Sequence, residues 1–339
     1  MDGFNEKEIT INDQIKGCIY GLAIGDALGA PVEFVRSAGN YQAADQRLVK
    51  GFTTGIKPAY TDDTELAIAT ARGLCRPGAD LSITDPWKRS PDRLVWHEYA
   101  AWYNEHMARP GSAPTGPTTI NAIARGKPGA VGGKPLNNSK GSGPVPRVAP
   151  AGLVYNSTSA AMFSAARIAA LTHGHTTAQI SAAIFAGVIN KLLQGFHLVD
   201  AWSIIIEAVD IIPGSKEPIN ATNKALNIYN AGINPDKGIR EIDGDGWTAE
   251  SALSLGLYAA ICYGDALEGK RANAFKQALL LAVNINGDSD TVGSITGALL
   301  GALYGYAALP DEWAAAINNE VLAQTCANII KKRKGQKNG

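Results

Sequence analysis

Gly17-Cys18-Ile19-Tyr20-Gly21-Leu22-Ala23-Ile24-Gly25-Asp26-Ala27-Leu28-Gly29 carries glycine at every fourth position, and so does Gly293-Ser294-Ile295-Thr296-Gly297-Ala298-Leu299-Leu300-Gly301-Ala302-Leu303-Tyr304-Gly305 at the other end of the chain. At 3.6 residues per turn each row lies along one face of a helix. Glycine costs about 1 kcal/mol relative to alanine inside a helix, so four in a row need a compensating gain, which close approach of another backbone provides. Both helices are therefore expected at the centre of the fold, tightly packed. Packing alone explains the glycines, but it also carries Asp26, Glu33 and Asp288 into the middle of the molecule.

Outward from these two segments, helical periodicity dominates and runs of alternating β-branched residues between tight turns are almost absent. The expected fold class is all-α, a compact helical globule. Helices are predicted over 12–29, 63–75, 91–107, 157–171, 176–194, 198–211, 220–231, 248–263, 271–283, 291–306 and 311–331. The stretch from Arg109 to Pro150, crowded with glycine, proline, serine and asparagine, reads as a long ordered loop system, and loops of that length inside a domain usually serve function. From His106 to Val199 there is no Asp or Glu, while eight basic residues fall there: Arg109, Arg125, Lys127, Lys134, Lys140, Arg147, Arg167 and Lys191. Either this segment attracts an anionic ligand such as a phosphate, or its exposed surface simply uses neutral polar residues.

At 339 residues, 45% hydrophobic and 18% charged with zero net charge, the chain can bury a large core and gives no bulk electrostatic reason to bind nucleic acid. Cys18, Cys75, Cys262 and Cys326 are far apart without metal-binding spacing and read as reduced thiols. The acidic start MDGFNEKEIT is unlike a secretory signal, and no apolar run is long enough to span a bilayer, so a cytoplasmic location without membrane contact is expected. The run Lys331-Lys332-Arg333-Lys334 reads as a solvated basic end.

Thr61-Asp62-Asp63-Thr64 and Asp288-Ser289-Asp290-Thr291 each open into a helix. Each alone is explained by N-capping and by acids in a first helical turn. Together they look like two halves of one cation site, since two like charges 4 Å apart repel by roughly 4 kcal/mol at an effective dielectric near 20, a cost that a cation reverses. Oxygen donors without His or Cys suit a hard ion of the Mg, Ca or Mn type. Pro31 ends the first helix and aims Glu33 off its end. His173 and His175 lack a partner at zinc-ligand spacing.

Several segments, taken in order, make the chain resemble the ADP-ribosylglycohydrolases related to dinitrogenase reductase-activating glycohydrolase. They are Gly21 to Gly29, Thr61 to Thr64, Ser139-Lys140-Gly141-Ser142-Gly143 leading to Arg147-Val148-Ala149-Pro150, Leu171-Thr172-His173, Gly246-Trp247-Thr248-Ala249-Glu250 and Asn286 to Thr291. The resemblance runs from about Ile15 to Leu309. It implies one all-α domain, 15–330, after an N-terminal extension, 1–14, and before a basic tail, 331–339. It implies a dinuclear cleft with two divalent cations, Mg or Mn, on Thr61, Asp62, Asp63, Asp288, Asp290 and Thr291. It places Ser139, Lys140, Gly141, Ser142 and Gly143 at the ribose and phosphates, His173 at the distal part of the ligand, and Glu33 as a mobile acid beside the metals. Many relatives carry an aspartate in the loop that corresponds to Pro114-Thr115-Gly116-Pro117-Thr118-Thr119, and this chain has none there. Lys140 and Pro144 also differ from the residues common in the family's binding loop.

Cleavage of a ribosyl bond needs a group to protonate the leaving atom and another to activate water. Metals serve the second need, and Glu33, Asp62 or Asp290 the first. The expected function is metal-dependent removal of ADP-ribose from an ADP-ribosylated protein side chain, arginine foremost. Two alternatives stay open: an immunity-type protein that neutralises an ADP-ribosyltransferase by binding it, and a hydrolase of a small ADP-ribosyl compound or modified nucleic acid.

Overall fold

A computed structural model of the chain describes residues 9–35, 49–77, 91–112 and 115–336. Residues 1–8 of the expected N-terminal extension, Pro114 and residues 337–339 of the basic tail lie outside these. The helices run α1 (Ile11–Gly29), α2 (Asp62–Cys75), α3 (Pro91–Ala108), α4 (Pro117–Ala124), α5 (Pro144–Arg147), α6 (Ala149–Val154), α7 (Thr158–Ala170) and α8 (Thr176–Leu192). They continue as α9 (Leu198–Asp210), α10 (Lys216–Asn230), α11 (Pro235–Gly238), α12 (Ala249–Ile261), α13 (Arg271–Val283), α14 (Ser289–Tyr304), α15 (Asp311–Ile317) and α16 (Glu320–Gly335). The described residues form no strand, only an isolated bridge between Gly141 and Thr248.

The two glycine rows face each other. A Cβ built on Gly17 would lie 2.1 Å from the carbonyl oxygen of Gly301, one on Gly21 2.1 Å from that of Gly297, and one on Gly25 2.0 Å from that of Gly293. Chain numbers rise on α1 as they fall on α14, so the pair is antiparallel. Contact at this range is backbone on backbone, closer than the usual 8–10 Å between helix axes allows with side chains interposed. Both helices are almost wholly buried. α12 and α13 pack on α14, while α2, α15 and α16 pack on α1. The antiparallel arrangement brings the C-terminal end of α1 to the N-terminal end of α14.

The structure departs from the sequence-based expectation in three places. The glycine- and proline-rich stretch after Arg109 is not loop throughout: α4 and α5 lie within it and α6 begins at its end, each with proline at its first or second position, where a missing N–H costs nothing. The helix predicted over 311–331 is two helices, because Asn318 and Asn319 take extended backbone and the Asn319 side chain accepts from Leu322 N as the cap of α16. The basic run at 331–334 is the last turn of α16 and does not all face water. Arg333 is buried, with Nη1 donating to the carbonyl oxygens of Leu153 (2.8 Å) and Tyr155 (2.5 Å) at the end of α6. Among the described residues no helix is long and apolar enough to cross a membrane.

Candidate metal centre

The two clusters do place acids in the first turns of α2 and α14, but their own side chains do not cap these helices. Thr61 and Asp288 do occupy the N-cap positions of α2 and α14, yet neither side chain accepts a capping bond from a backbone N–H of its own helix. The cap of α2 comes instead from α1. Asp26, fully buried, accepts from Thr61 N at 3.0 Å on both oxygens, from Thr64 N at 3.0 Å, and from the hydroxyls of Thr61 and Thr64 at 2.6 Å each. Burial pushes its carboxyl pKa up and these bonds pull it down. Its two oxygens thus gather four groups of the first turn of α2, two backbone N–H groups and two hydroxyls. Sequence reading placed Asp26 at the centre and missed this role, since its partners are 35 and 38 residues away.

Glu33 follows the 3-10 turn Ala30–Val32 that extends α1. The last glycine of the row, Gly29, sits on the backbone of Asp290, and a Cβ there would meet Asp290 Cα at 2.5 Å. One carboxylate oxygen from each of Glu33, Asp288 and Asp290 lies within 4.8 Å of the other two. Asp288 is braced from behind, its N–H donating to Asp245 O at 2.9 Å and its Oδ2 accepting from Ser142 Oγ at 2.5 Å.

From the other cluster, Thr61 Oγ1 stands 3.5 Å from Asp290 Oδ2. Thr61 Oγ1 donates more closely to Asp26 Oδ1, at 2.6 Å, which leaves its lone pairs turned toward Asp290. Asp63 Oδ2 is buried without a hydrogen-bond partner. Asp62 is half-buried, and Thr291 is buried, its N–H donating to Asp290 Oδ1 at 2.9 Å.

The electrostatics match the geometry. Burial, then the charge of Asp290 and a hydrogen bond to it, pushes Glu33 up to about 8. Burial likewise raises Asp288 to about 6 against the pull of its hydrogen bonds. Asp62 and Asp63 are raised well above the usual carboxylate range by burial and then by the charge of Asp290, and Asp290 by burial and then by Asp288 and Asp26. Acids crowded in a buried cluster, an orphaned buried carboxylate oxygen and a donor set without nitrogen or sulfur fit hard divalent cations.

The segment proposed to meet the ligand is anchored more firmly than expected. Ser139 N donates to Asn137 Oδ1 (3.0 Å), Gly141 N to Ser139 Oγ (3.3 Å) and Ser142 N to Trp247 O (3.2 Å), so three of its N–H groups are already engaged. Lys140 is held by Glu217 and, at 2.7 Å, by Glu250. Other cations of the acid-free segment are matched from outside it: Arg109 by Glu65 at 2.8 Å and Arg167 by Asp92 at 2.9 Å. The segment is thus less electropositive than its composition implies. In the loop without an aspartate, Thr118 Oγ1 lies 3.1 Å from Ser139 Oγ and Thr119 is buried against Arg147.

The described residues define the class: a helical fold with no strand, in which the end of the α1/α14 pair carries a buried cluster of oxygen donors that could hold a metal ion. The chain belongs to the ADP-ribosylglycohydrolase family, whose sequence profile matches residues 7–339. It is 26% identical over 307 residues to the ADP-ribosylarginine hydrolase Tri1 of Serratia proteamaculans (strain 568), covering 89% of this chain and 74% of that protein. It is 25% identical over 321 residues to the ADP-ribosyl-[dinitrogen reductase] glycohydrolase of Rhodospirillum rubrum, covering 92% of each. A solved structure described as an ADP-ribosylglycohydrolase-related protein complex superposes with a TM-score of 0.65 at 26% identity, over 96% of this chain and 98% of that one.

Proposed function

We propose that the protein is a hydrolase that releases ADP-ribose from an ADP-ribosylated protein side chain, with arginine as the foremost linkage and two Mg or Mn ions as cofactors. The observation that carries this is the convergence of Glu33, Asp288 and Asp290 on one point beside Thr61 and Asp63, in a chain matched nearly end to end by the family. Thr61, Asp62, Asp63, Asp288, Asp290 and Thr291 would hold the ions. Bound cations supply positive charge that polarises substrate oxygens and acidifies water.

The protein's own groups divide the remaining work by exposure. Asp63, Asp288 and Asp290 are buried and serve as fixed charge, whereas Glu33 and Asp62 are half-buried. Transfer of a proton at the departing atom therefore falls to Glu33 or Asp62, with Asp290 orienting Glu33. Ser142 holds Asp288, linking the ligand loop to the metal cluster. Named relatives act on ADP-ribosylated arginine and on ADP-ribosylated dinitrogen reductase, which supports a protein target.

The test is release of ADP-ribose from ADP-ribosyl-arginine, ADP-ribosyl-serine and an ADP-ribose ester, with and without Mn or Mg. Asp62→Ala and Asp290→Ala are each expected to lose release, by at least about a hundredfold, together with the thermal shift that Mn produces. Full activity in either variant would sink the assignment.

A further inference from the structure

With three N–H groups of the Ser139–Gly143 segment engaged and Lys140 neutralised, a phosphate there needs a different donor. His173 Nε2 is placed to be one. A Cβ built on Gly141 would lie 3.2 Å from Nε2 and 3.6 Å from Cδ2, so the imidazole edge lies against the bare backbone of Gly141. Asn137 ties the two loops together, accepting from Ser139 N and Gly174 N at 3.0 Å each and donating to Thr172 O at 2.8 Å.

Which nitrogen of His173 carries the proton follows from the groups behind it. Arg147 is fully buried, its guanidinium over the Tyr99 ring at 5.2 Å and its Nη2 2.5 Å from Thr172 Oγ1. A guanidinium only donates, so Thr172 Oγ1 accepts from it. Thr172 is itself fully buried, and its own proton has one hydrogen-bond acceptor among the described residues, His173 Nδ1 at 2.8 Å. Nδ1 is thereby an acceptor, and a neutral imidazole must then hold its proton on Nε2. Burial and the charge of Arg147 both oppose a second proton on the ring.

We infer that Arg147 and Thr172 are positioning residues that lock His173 as a neutral Nε2–H donor, aimed past Gly141 at a phosphate oxygen of the ligand. The ligand's identity rests on the proposed function, while the lock rests on the hydrogen-bond order alone. An anion oxygen is accepted at this position and a donor group, such as an amine or a water presenting its hydrogen, is turned away.

Nitrogen-15 NMR of the full-length protein tests the lock, with His173→Gln used to identify the signals. In the wild type, Nδ1 is expected in the unprotonated range and Nε2 in the N–H range, both unchanged between about pH 5 and pH 8. Thr172→Val, close in shape but without the hydroxyl, should shift both signals toward a tautomer mixture and weaken ADP-ribose binding by about tenfold while kcat changes less. Thr172→Ser should restore both. A proton on Nδ1 in the wild type, or signals and affinity unmoved in Thr172→Val, overturns the inference. Failure of wild-type protein to bind ADP-ribose would count against the proposed function and not against the tautomer, which the nitrogen shifts decide separately.

Discussion

Asp26 shows how one side chain turns a packing contact into a site. Its two oxygens gather the N–H and hydroxyl groups of Thr61 and Thr64, fixing the first turn of α2 to the end of α1. By taking the Thr61 proton it leaves that hydroxyl's lone pairs for a cation. Asp26→Asn replaces one acceptor with an NH2 group facing donors, and an unmatched buried donor costs about 1–3 kcal/mol. The variant is expected to lose about 2 kcal/mol of stability in urea unfolding and at least tenfold in Mn affinity by calorimetry. Wild-type affinity in a correctly folded Asp26→Asn protein would show that Thr61 needs no orientation. The sequence signalled Asp26 only through its neighbours, Gly25 and Gly29, because a hydrogen bond across 35 residues leaves no periodic trace. Arg147 and Thr172 were legible only as parts of family-like segments for the same reason.

At the scale of the element, the glycine rows were fully readable, because a period of four survives in the sequence whatever the rest of the fold does. Their partner could not be read from either row singly, and the opposition of Gly21 to Gly297 and Gly25 to Gly293 emerges only in three dimensions. Gly21→Ala and Gly297→Ala should each destabilise by more than the ~1–3 kcal/mol typical of overpacking, since the new Cβ would lie 2.1 or 2.0 Å from a backbone carbonyl oxygen that no rotamer change can move. In an ordinary exposed helix the same change stabilises by up to about 1 kcal/mol, so the sign of the effect in a melting experiment decides between close backbone contact and mere tolerance. Short elements were the illegible ones. Helices α4, α5 and α6 hide among prolines and glycines that read as turns, and the break at Asn318–Asn319 lies in a segment whose apolar spacing continues across it.

For the whole molecule, the antiparallel α1/α14 pair closes a chain of more than two hundred residues on itself, so the acidic clusters meet only if the entire fold is formed. The site therefore reports on global stability, and global stability depends on what neutralises the site. Without divalent ions, each raised acid binds its proton more tightly in the folded state than in the unfolded chain. The stability this gives is complete below the unfolded pKa and is lost as pH rises through the folded one, between 3.8 and about 6 for Asp288 and between 4.5 and about 8 for Glu33. The apoprotein should thus lose stability at its site from pH 5 toward pH 8. Cations compete with those same protons, so their stabilisation must run the other way and grow with pH. At about a hundredfold excess over Kd each ion contributes about 2.7 kcal/mol. Thermal unfolding followed from pH 5 to pH 8, once with chelator and once with excess Mn, isolates the site because all remote titrations cancel in the difference between the two curves. The difference should be small at pH 5 and largest at pH 8, and it should vanish at both in Asp290→Ala. A Mn shift independent of pH would mean that the cluster is already ionised before metal arrives, and that the repulsion read from Thr61-Asp62-Asp63-Thr64 and Asp288-Ser289-Asp290-Thr291 is relieved by something other than protons or ions.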